Sequence, residues 1–143
     1  MKTYDLLVIG GGPAGVSAAR TAALRNKTVA LINAGKELGG AGINTGTLPS
    51  KTLRETALAL SGAQARNLLG LEITLRGEAT VADFLRHEQH VKAGFNETLA
   101  QLTESLKIDF FPGIAVFENP HQLRVNGQAN GALVLQGENS NVR

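Results

Sequence analysis

A glycine-rich turn that follows directly on an apolar run constrains this chain more than any other feature of its sequence. Tyr4 to Ile9 is apolar at every position except Asp5, which is typical of a strand buried in a parallel sheet. Gly10, Gly12 and Gly15 follow at the G-x-G-x-x-G spacing that joins a strand to a helix in dinucleotide-binding βαβ units. The chemistry expected at this turn is the binding of a pyrophosphate by backbone N–H groups.

The residues after the turn complete a βαβ unit. Pro13 suits the first turn of a helix, where its missing N–H is no loss, and Val16 to Leu24 is rich in small helix-forming residues. Thr28 to Ile32 is then a second short strand. The fingerprint next requires an acidic residue that binds a ribose hydroxyl, and Asn33 occupies that place. An amide can still bond the ribose, without the charge-assisted bond of a carboxylate, so we predict that Asn33 is either a weakened ribose ligand or an ordinary loop residue.

The remaining sequence predicts further elements in a single domain that covers residues 1–143. A small-residue loop over 39–51 leads into a helix from Pro49 to Leu60, whose apolar face is formed by Leu53, Ala57 and Leu60. Residues 61–76 are expected to be a loop with a possible strand at 71–75, and 79–107 an amphipathic helix. Short strands are predicted at 108–111, 114–117, 122–125 and 132–135, with turns at 112–113, 119–120 and 126–127. The predicted fold class is α/β, a Rossmann-like βαβ unit with a long helix and an added antiparallel β piece.

Composition removes several classes of function. The chain has no cysteine, so it has no disulfide and no thiolate for metal binding or redox chemistry. The net charge of +2 comes from scattered residues, which disfavours nucleic-acid binding. No apolar run reaches the roughly 18 residues of a membrane span and no leader sequence is recognisable, so a cytoplasmic protein is expected. His87, Glu88 and His90 do not have the spacing of a zinc motif, and no metal site is expected.

A second glycine-rich stretch carries a resemblance to a known family. Gly39-Gly40 followed by Gly46-x-x-Pro49-Ser50-Lys51, taken together with the first turn, resembles the N-terminal FAD-binding part of the flavoprotein pyridine nucleotide–disulfide oxidoreductases. That family has two redox cysteines in this stretch, and here those places are Gly42 and Thr47. The residues from Thr45 to Glu55 resemble most the soluble pyridine nucleotide transhydrogenases, which lack the intact cysteine pair.

The resemblance implies a cofactor, partners and an activity. The cofactor would be FAD, and hydride would pass from NAD(P)H through the flavin to NAD(P)+. It also implies a nicotinamide-binding domain and a C-terminal domain that forms a homodimer, so the chain is expected to be an N-terminal fragment that is inactive alone. A dinucleotide-binding module without turnover, or a relative of dihydrolipoamide dehydrogenase without the disulfide, remains the alternative. A disulfide reductase is disfavoured because no residue can form the thiolate.

The resemblance also assigns roles to individual residues. Lys51 would place a positive charge near the flavin, where it stabilises developing negative charge, and its alternative is a solvent-facing lysine. Thr47 would occupy the place of the flavin-proximal cysteine and shape the pocket, since its hydroxyl is a poor nucleophile without a base. The backbone of Ala115 would meet the adenine. The expected cofactor-binding residues are Gly10, Gly12, Pro13, Ala14, Gly15, Asn33, Gly40, Thr47, Lys51 and Ala115.

Overall fold

Within the residues that the structure describes, the chain forms a βαβ unit, then three helices in succession and then four strands. A computed structural model of the chain describes residues 2–60, 80–127 and 133–137. In chain order, the elements are β1 (Lys2–Tyr4), β2 (Leu6–Ile9), α1 (Pro13–Ala23), β3 (Val29–Asn33), α2 (Gly40–Asn44), α3 (Thr47–Leu60), α4 (Val81–Ser105), β4 (Asp109–Pro112), β5 (Ile114–Asn119), β6 (Gln122–Asn126) and β7 (Leu133–Gly137). The possible strand predicted at 71–75 lies outside the described residues.

A three-stranded parallel sheet, in the order β2-β3-β4, holds the glycine turn at one edge. Leu6 lies opposite Val29 and Asn33 lies opposite Pro112, so the carboxyl ends of the three strands meet at the same edge. The residues from Val29 to Ile32 in the central strand are all 2% exposed or less, which is expected of a strand covered on both faces. The predicted βαβ unit is therefore present, and its strand ends face the side where α/β sheets bind ligands.

Two hydrophobic clusters lie on the two faces of β3. Val29 and Leu31 belong to a cluster with α1, and three leucines from the end of α4 and the position directly after it pack against this cluster. Those leucines are Leu99, Leu102 and Leu106, which confirms the apolar face predicted for the end of the long helix. Ala30 and Ile32 point to the other face and join a second cluster with residues of β1, β6 and β7.

The second cluster belongs to a four-stranded sheet, in the order β1-β7-β6-β5. β1 and β7 are parallel, whereas β7, β6 and β5 are antiparallel neighbours. Asn119 pairs with Gln122, so the predicted turn at 119–120 is confirmed as the connection of the β5–β6 hairpin. The added antiparallel β piece is thus present, and it is covered by residues from the parallel sheet.

The strand predicted from Tyr4 to Ile9 is wrong as a single strand, because it divides at Asp5 into β1 and β2, which pair in different sheets. The Asp5 carboxylate accepts hydrogen bonds from the Thr28 N–H and hydroxyl, both at 2.8 Å, and pairs with the Lys27 ammonium at 3.0 Å. The Asp5 N–H donates in return to the Thr28 hydroxyl oxygen at 2.9 Å. A polar residue therefore interrupts the apolar run without leaving its own polar groups unpaired.

The turn predicted at 112–113 is a crossing between the two sheets. β4 lies in the parallel sheet and β5 in the other, with Gly113 between them. A Cβ atom at Gly113 would overlap the Asn126 carbonyl oxygen, so this crossing requires glycine for close approach. The turn predicted at 126–127 lies at the end of a described range. Gly127, the last residue of that range, has a φ of +100°.

The loop predicted over 39–51 is partly helical, because it contains α2 and because α3 begins at Thr47. Pro49 lies in the first turn of α3, where no N–H is needed. The predicted apolar face of α3 is wrong at Ala57, which is exposed, whereas Thr52 is buried. The Thr52 hydroxyl donates to the Leu48 carbonyl at 3.0 Å, and this bond makes the burial of a threonine possible.

The residues from Val81 to Ser105 form one helix that continues through Gly94. The chain divides into two compact units, residues 1–40 with 96–143 and residues 41–95. Both sheets and both hydrophobic clusters belong to the first unit, and α3 belongs to the second. Among the described residues, no helix has the length and apolar character that crossing a membrane requires.

Candidate functional site

The three glycines of the turn are glycine for three different reasons. Gly10 has a φ of +100°, and its N–H donates to the Ile32 carbonyl at 2.8 Å, so it makes the sharp exit from β2. A Cβ atom at Gly15 would overlap the Gly10 carbonyl oxygen, so Gly15 lets α1 lie against the turn. A Cβ atom at Gly12 would meet nothing within 4 Å. Gly12 therefore leaves the backbone open to a ligand, as this fingerprint requires of its middle glycine.

The first turn of α1 has no side chain that caps it. Gly12 is the N-cap residue, Pro13 opens the helix, and no acidic residue lies in the first turn. The N–H groups of Ala14 and Gly15 have no acceptor within the helix, because the first N–H groups of any helix lack one. The amino end of α1 therefore presents free donors and the positive end of the helix dipole toward the open side of Gly12.

A second pair of glycines packs on the same turn. The Gly39 N–H donates to the Gly11 carbonyl at 2.6 Å. Gly40 has a φ of +52°, and a Cβ atom there would lie 3.0 Å from the Gly12 Cα. The predicted site residue Gly40 is thus brought next to Gly12, and its lack of a side chain keeps the turn accessible.

Asn33 organises the loop that follows β3. Its Oδ1 accepts from the Gly11 N–H at 3.0 Å, and its Nδ2 donates to the carbonyls of Gly35 and Glu37, also at 3.0 Å each. Both hydrogens of the amide are therefore used within the protein, and one acceptor position remains on Oδ1. The role of Asn33 as a ribose ligand stays a prediction, and only that acceptor position is available for it.

A pocket of about 320 Å³ lies at the carboxyl ends of β3 and β4. It is lined by Ala34, Lys36, Pro112, Gly113, Ile114, Asn126 and Gly127. Sequence reasoning missed Lys36 and Asn126, because residues from three separate segments of the chain meet there only after folding. The available signal was the rule that open α/β sheets bind ligands at the carboxyl ends of their strands.

The predicted residue Ala115 lies beside this pocket without lining it in the described structure. It follows the pocket residue Ile114 in β5 and pairs with Val125 of β6. Its side chain is half-buried and packs on the second hydrophobic cluster. Any contact between Ala115 and a ligand would therefore involve its backbone, as the sequence predicts.

Thr47 and Lys51 belong to the other compact unit, where both are exposed at the start of α3. The Ser50 hydroxyl donates to the Thr47 carbonyl at 3.1 Å within that first turn. Gly42 lies in α2. The roles of Thr47 and Lys51 near a flavin stay predictions.

In the ranges that the structure describes, no group of His, Cys, Asp or Glu residues is arranged to hold a metal ion.

The ionisable groups with displaced pKa values lie at the opposite edge of the parallel sheet, within the described residues. Burial, together with the hydrogen bond to Asp109, raises the pKa of Tyr4. The Tyr4 hydroxyl donates to the Asp109 carboxylate at 2.5 Å and lowers its pKa. Hydrogen bonds from Thr28 lower the pKa of Asp5 to about 2. These groups flank the amino ends of β2 and β4, so they stabilise the fold and take no part in the candidate site.

Known proteins are similar to this chain in sequence and in fold. It is 40% identical over 129 residues to the soluble pyridine nucleotide transhydrogenase of Mycobacterium tuberculosis, which covers 90% of this chain and 28% of that protein. It is 35% identical over 136 residues to the dihydrolipoyl dehydrogenase of Thermus scotoductus, with coverages of 92% and 28%. The chain thus spans less than a third of the length of these relatives.

A solved structure agrees with this similarity. The Cu(II) complex of the HOCl-induced flavoprotein disulfide reductase RclA from Escherichia coli superposes with a TM-score of 0.74 at 28% identity, over 96% of this chain and 27% of that one. The model of the family described as pyridine nucleotide-disulphide oxidoreductase matches residues 4–132, which include the glycine turn and strands of both sheets. The chain therefore belongs to the pyridine nucleotide-disulphide oxidoreductase family.

Proposed function

We propose that this chain is the FAD-binding part of a flavoprotein oxidoreductase that passes hydride between NAD(P)H and NAD(P)+, as a soluble transhydrogenase does. The observation that carries the proposal is the open, uncapped amino end of α1, with clear space beside Gly12 and with Gly15 packed on Gly10. Proteins of this family bind FAD and use NAD(P)H. The residues present fit that cofactor, because a dinucleotide pyrophosphate needs an open backbone with free N–H donors.

The glycine turn would bind the pyrophosphate. The N–H groups of Ala14 and Gly15 would donate to phosphate oxygens, and the dipole of α1 would stabilise their negative charge. Pro13 contributes no donor, but its fixed φ starts the helix at this point. Gly40 would keep the space above Gly12 free of a side chain.

The carboxyl edge of the parallel sheet would receive the adenosine end of the cofactor. The pocket beside Ala34 and Gly113 lies at this edge, where dinucleotide-binding sheets hold their ligands. Asn33 would accept a hydrogen bond from a ribose hydroxyl through the remaining position on Oδ1. The backbone at Ala115 would meet the adenine.

The flavin end of the cofactor would involve Thr47 and Lys51. When bound, FAD supplies the capacity to accept and release hydride. The Lys51 ammonium would stabilise negative charge on the reduced ring, and Thr47 would shape the pocket where relatives carry a cysteine. Because Gly42 and Thr47 bear no thiol, the proposed reaction contains no dithiol step.

The remaining proposals concern the whole protein. The chain matches less than a third of the length of each of these relatives. We place it in the cytoplasm, as one FAD-binding domain that works with a nicotinamide-binding domain. A homodimer would form through a C-terminal domain. Neither nucleic acid nor a membrane enters the proposal.

A second candidate is a module that holds a dinucleotide without turnover, or a dihydrolipoyl dehydrogenase-like relative without the disulfide. The observation that favours the first of these is the commitment of the Asn33 amide to the loop, which leaves one acceptor for the ribose. Such a module would bind the pyrophosphate at the same glycine turn but would not transfer hydride.

The test uses the full-length gene product, purified and examined for bound flavin and for hydride transfer from NADPH to thio-NAD+. A yellow protein that catalyses this exchange supports the transhydrogenase-like function. A yellow protein without NADPH oxidation supports the binding module. A colourless protein that neither binds added FAD nor oxidises NADPH contradicts both.

A further inference from the structure

An asparagine that is followed by a glycine forms part of the wall of the pocket at the carboxyl ends of β3 and β4. Asn126 is the last residue of β6, and both Asn126 and Gly127 line the pocket. Asn126 is exposed. In the part of the chain that the structure describes, its side-chain amide forms no hydrogen bond. The amide is therefore open to solvent and free to turn toward the backbone that follows it.

The backbone conformation favours glycine after Asn126. Gly127 has a φ of +100°, which residues with a side chain rarely adopt. A Cβ atom at Gly127 would lie 3.6 Å from the Gly113 Cα, and a Cβ atom at Gly113 would overlap the Asn126 carbonyl oxygen. The two glycines thus lie close together where the chain crosses between the sheets. The Gly127 nitrogen consequently has no side chain beside it that would shield it.

An unshielded backbone nitrogen directly after an asparagine permits a known reaction. The deprotonated Gly127 nitrogen attacks the Asn126 Cγ, the Cγ–Nδ2 bond breaks, and the side-chain nitrogen leaves as ammonia. The product is a cyclic succinimide. Water then opens the ring, and its addition at Cγ gives aspartate, whereas its addition at the main-chain carbonyl carbon gives isoaspartate. The whole reaction consumes water, releases ammonia and needs no oxidant or reductant.

Two other asparagines of the described structure do not meet these conditions. The amide hydrogens of Asn33 both bond carbonyls of the loop that follows it, and its neighbour Ala34 carries a side chain. Asn119 is followed by Pro120, whose nitrogen has no hydrogen to lose and cannot attack. The reaction is therefore expected at Asn126 ahead of both.

We propose that Asn126 is a site of spontaneous deamidation and that its products weaken ligand binding at this pocket. Aspartate or isoaspartate adds a carboxylate to a wall that also carries Lys36, which makes the pocket less favourable for an anionic cofactor. Isoaspartate also lengthens the main chain where Gly113 lies against the Asn126 carbonyl. The effect on binding rests on the proposed function, whereas the chemical change at Asn126 does not.

The experiment incubates the purified 143-residue chain at neutral and at mildly alkaline pH and maps its peptides by mass spectrometry. We expect Asn126 to convert to aspartate and isoaspartate while Asn33 stays intact. The conversion should be faster at the higher pH, because the attacking nitrogen must lose its proton. Fragment spectra separate position 126 from Asn130, which also precedes a glycine in the sequence.

A titration with FAD measures the effect on binding in the same samples. The aged chain should bind FAD about two- to five-fold more weakly than the fresh chain, which is the range of one exposed charge interaction. Asn126→Gln should keep the affinity that it has when fresh, because its longer side chain would have to close a larger ring, which is slow. Asn130→Gln, the matched change at the other asparagine, should age as the unsubstituted chain does. Equal melting temperatures of the fresh proteins would show that both variants are folded.

The outcomes separate this inference from the proposed function. If Asn126 stays intact in the folded chain, or converts no faster than Asn33, the inference is overturned and FAD binding by the fresh chain leaves the proposed function standing. Conversion at Asn126 with an unchanged FAD affinity overturns the proposed effect on binding. Conversion in a chain that binds no FAD even when fresh supports the deamidation site and contradicts FAD as the cofactor.

Discussion

Gly12 and Gly15 are three residues apart and exclude a side chain for opposite reasons. Gly15 faces the Gly10 carbonyl, where a Cβ atom would overlap it, and Gly12 faces open space. The fold therefore requires Gly15, whereas the open space beside Gly12 is left for a ligand. The structure therefore separates stability from binding within one turn of chain.

We predict that Gly15→Ala destabilises the protein by about 1–3 kcal/mol, because the added methyl forces α1 away from the turn. Gly12→Ser should leave stability unchanged or raise it by a few tenths of a kcal/mol, since serine is slightly more favourable than glycine as an N-cap residue. Urea unfolding of the two variants measures both effects. Equal destabilisation of the two would contradict the packing assigned to Gly15.

Asn33 offers a second test at the residue scale. Asn33→Asp restores the acidic residue of the fingerprint, but aspartate cannot donate to the carbonyls of Gly35 and Glu37. We expect a loss of stability of about 1 kcal/mol and no gain in FAD affinity. Gln89→Glu, an exposed change of the same charge on α4, is the control. Tighter FAD binding by an equally stable Asn33→Asp variant would show that the loop does not depend on the amide.

At the scale of elements, two crossings connect the sheets. The chain changes sheet at Asp5, between β1 and β2, and again at Gly113, between β4 and β5. Tyr4 and Asp109 also link β1 to β4 through their side chains. The junction at Asp5 depends on a carboxylate, so its strength depends on pH.

We predict an acid-dependent loss of stability at this junction. Hydrogen bonds from Thr28 lower the pKa of Asp5 from 3.8 to about 2. Because the folded pKa is the lower one, the contribution is complete above about pH 4 and is lost as the pH falls toward 2. Asp5→Asn should reduce the fall in melting temperature across this interval, whereas the surface change Glu104→Gln on α4 should not. Asp109, whose pKa is also lowered, should add to the fall. The same fall in Asp5→Asn as in the unsubstituted chain would contradict the role of Asp5.

The elements differ in how far sequence could predict them. The βαβ unit, the long helix and the β5–β6 hairpin follow from local patterns of apolar residues, glycine and proline. The division at Asp5 could not be predicted locally, because its partner Thr28 lies 23 residues away. The pocket at Lys36 was missed for the same reason, since Ile114 and Asn126 reach it only through the sheet pairing. Packing between distant segments, and not local preference, decides these features.

At the scale of the whole molecule, the parallel sheet separates two kinds of chemistry. The carboxyl edge holds the glycine turn with its backbone N–H groups and the pocket with the cationic Lys36, and both suit a phosphate. The amino edge holds Asp5 and Asp109, whose carboxylates are bonded within the protein. An anionic ligand is thus favoured at the carboxyl edge.

The central claim is that the open backbone at Gly12 binds the FAD pyrophosphate. The measurement that tests it most directly is a fluorescence titration of FAD with the 143-residue chain and with Gly12→Ser, whose hydroxyl would bond the N–H groups that the phosphate needs. We predict saturable binding of one FAD by the unsubstituted chain, in the micromolar range because the other domains of its relatives are not included. Affinity should be at least about ten-fold lower in the equally stable Gly12→Ser variant. No FAD binding by the folded chain, or equal affinity in the two proteins, would contradict the claim.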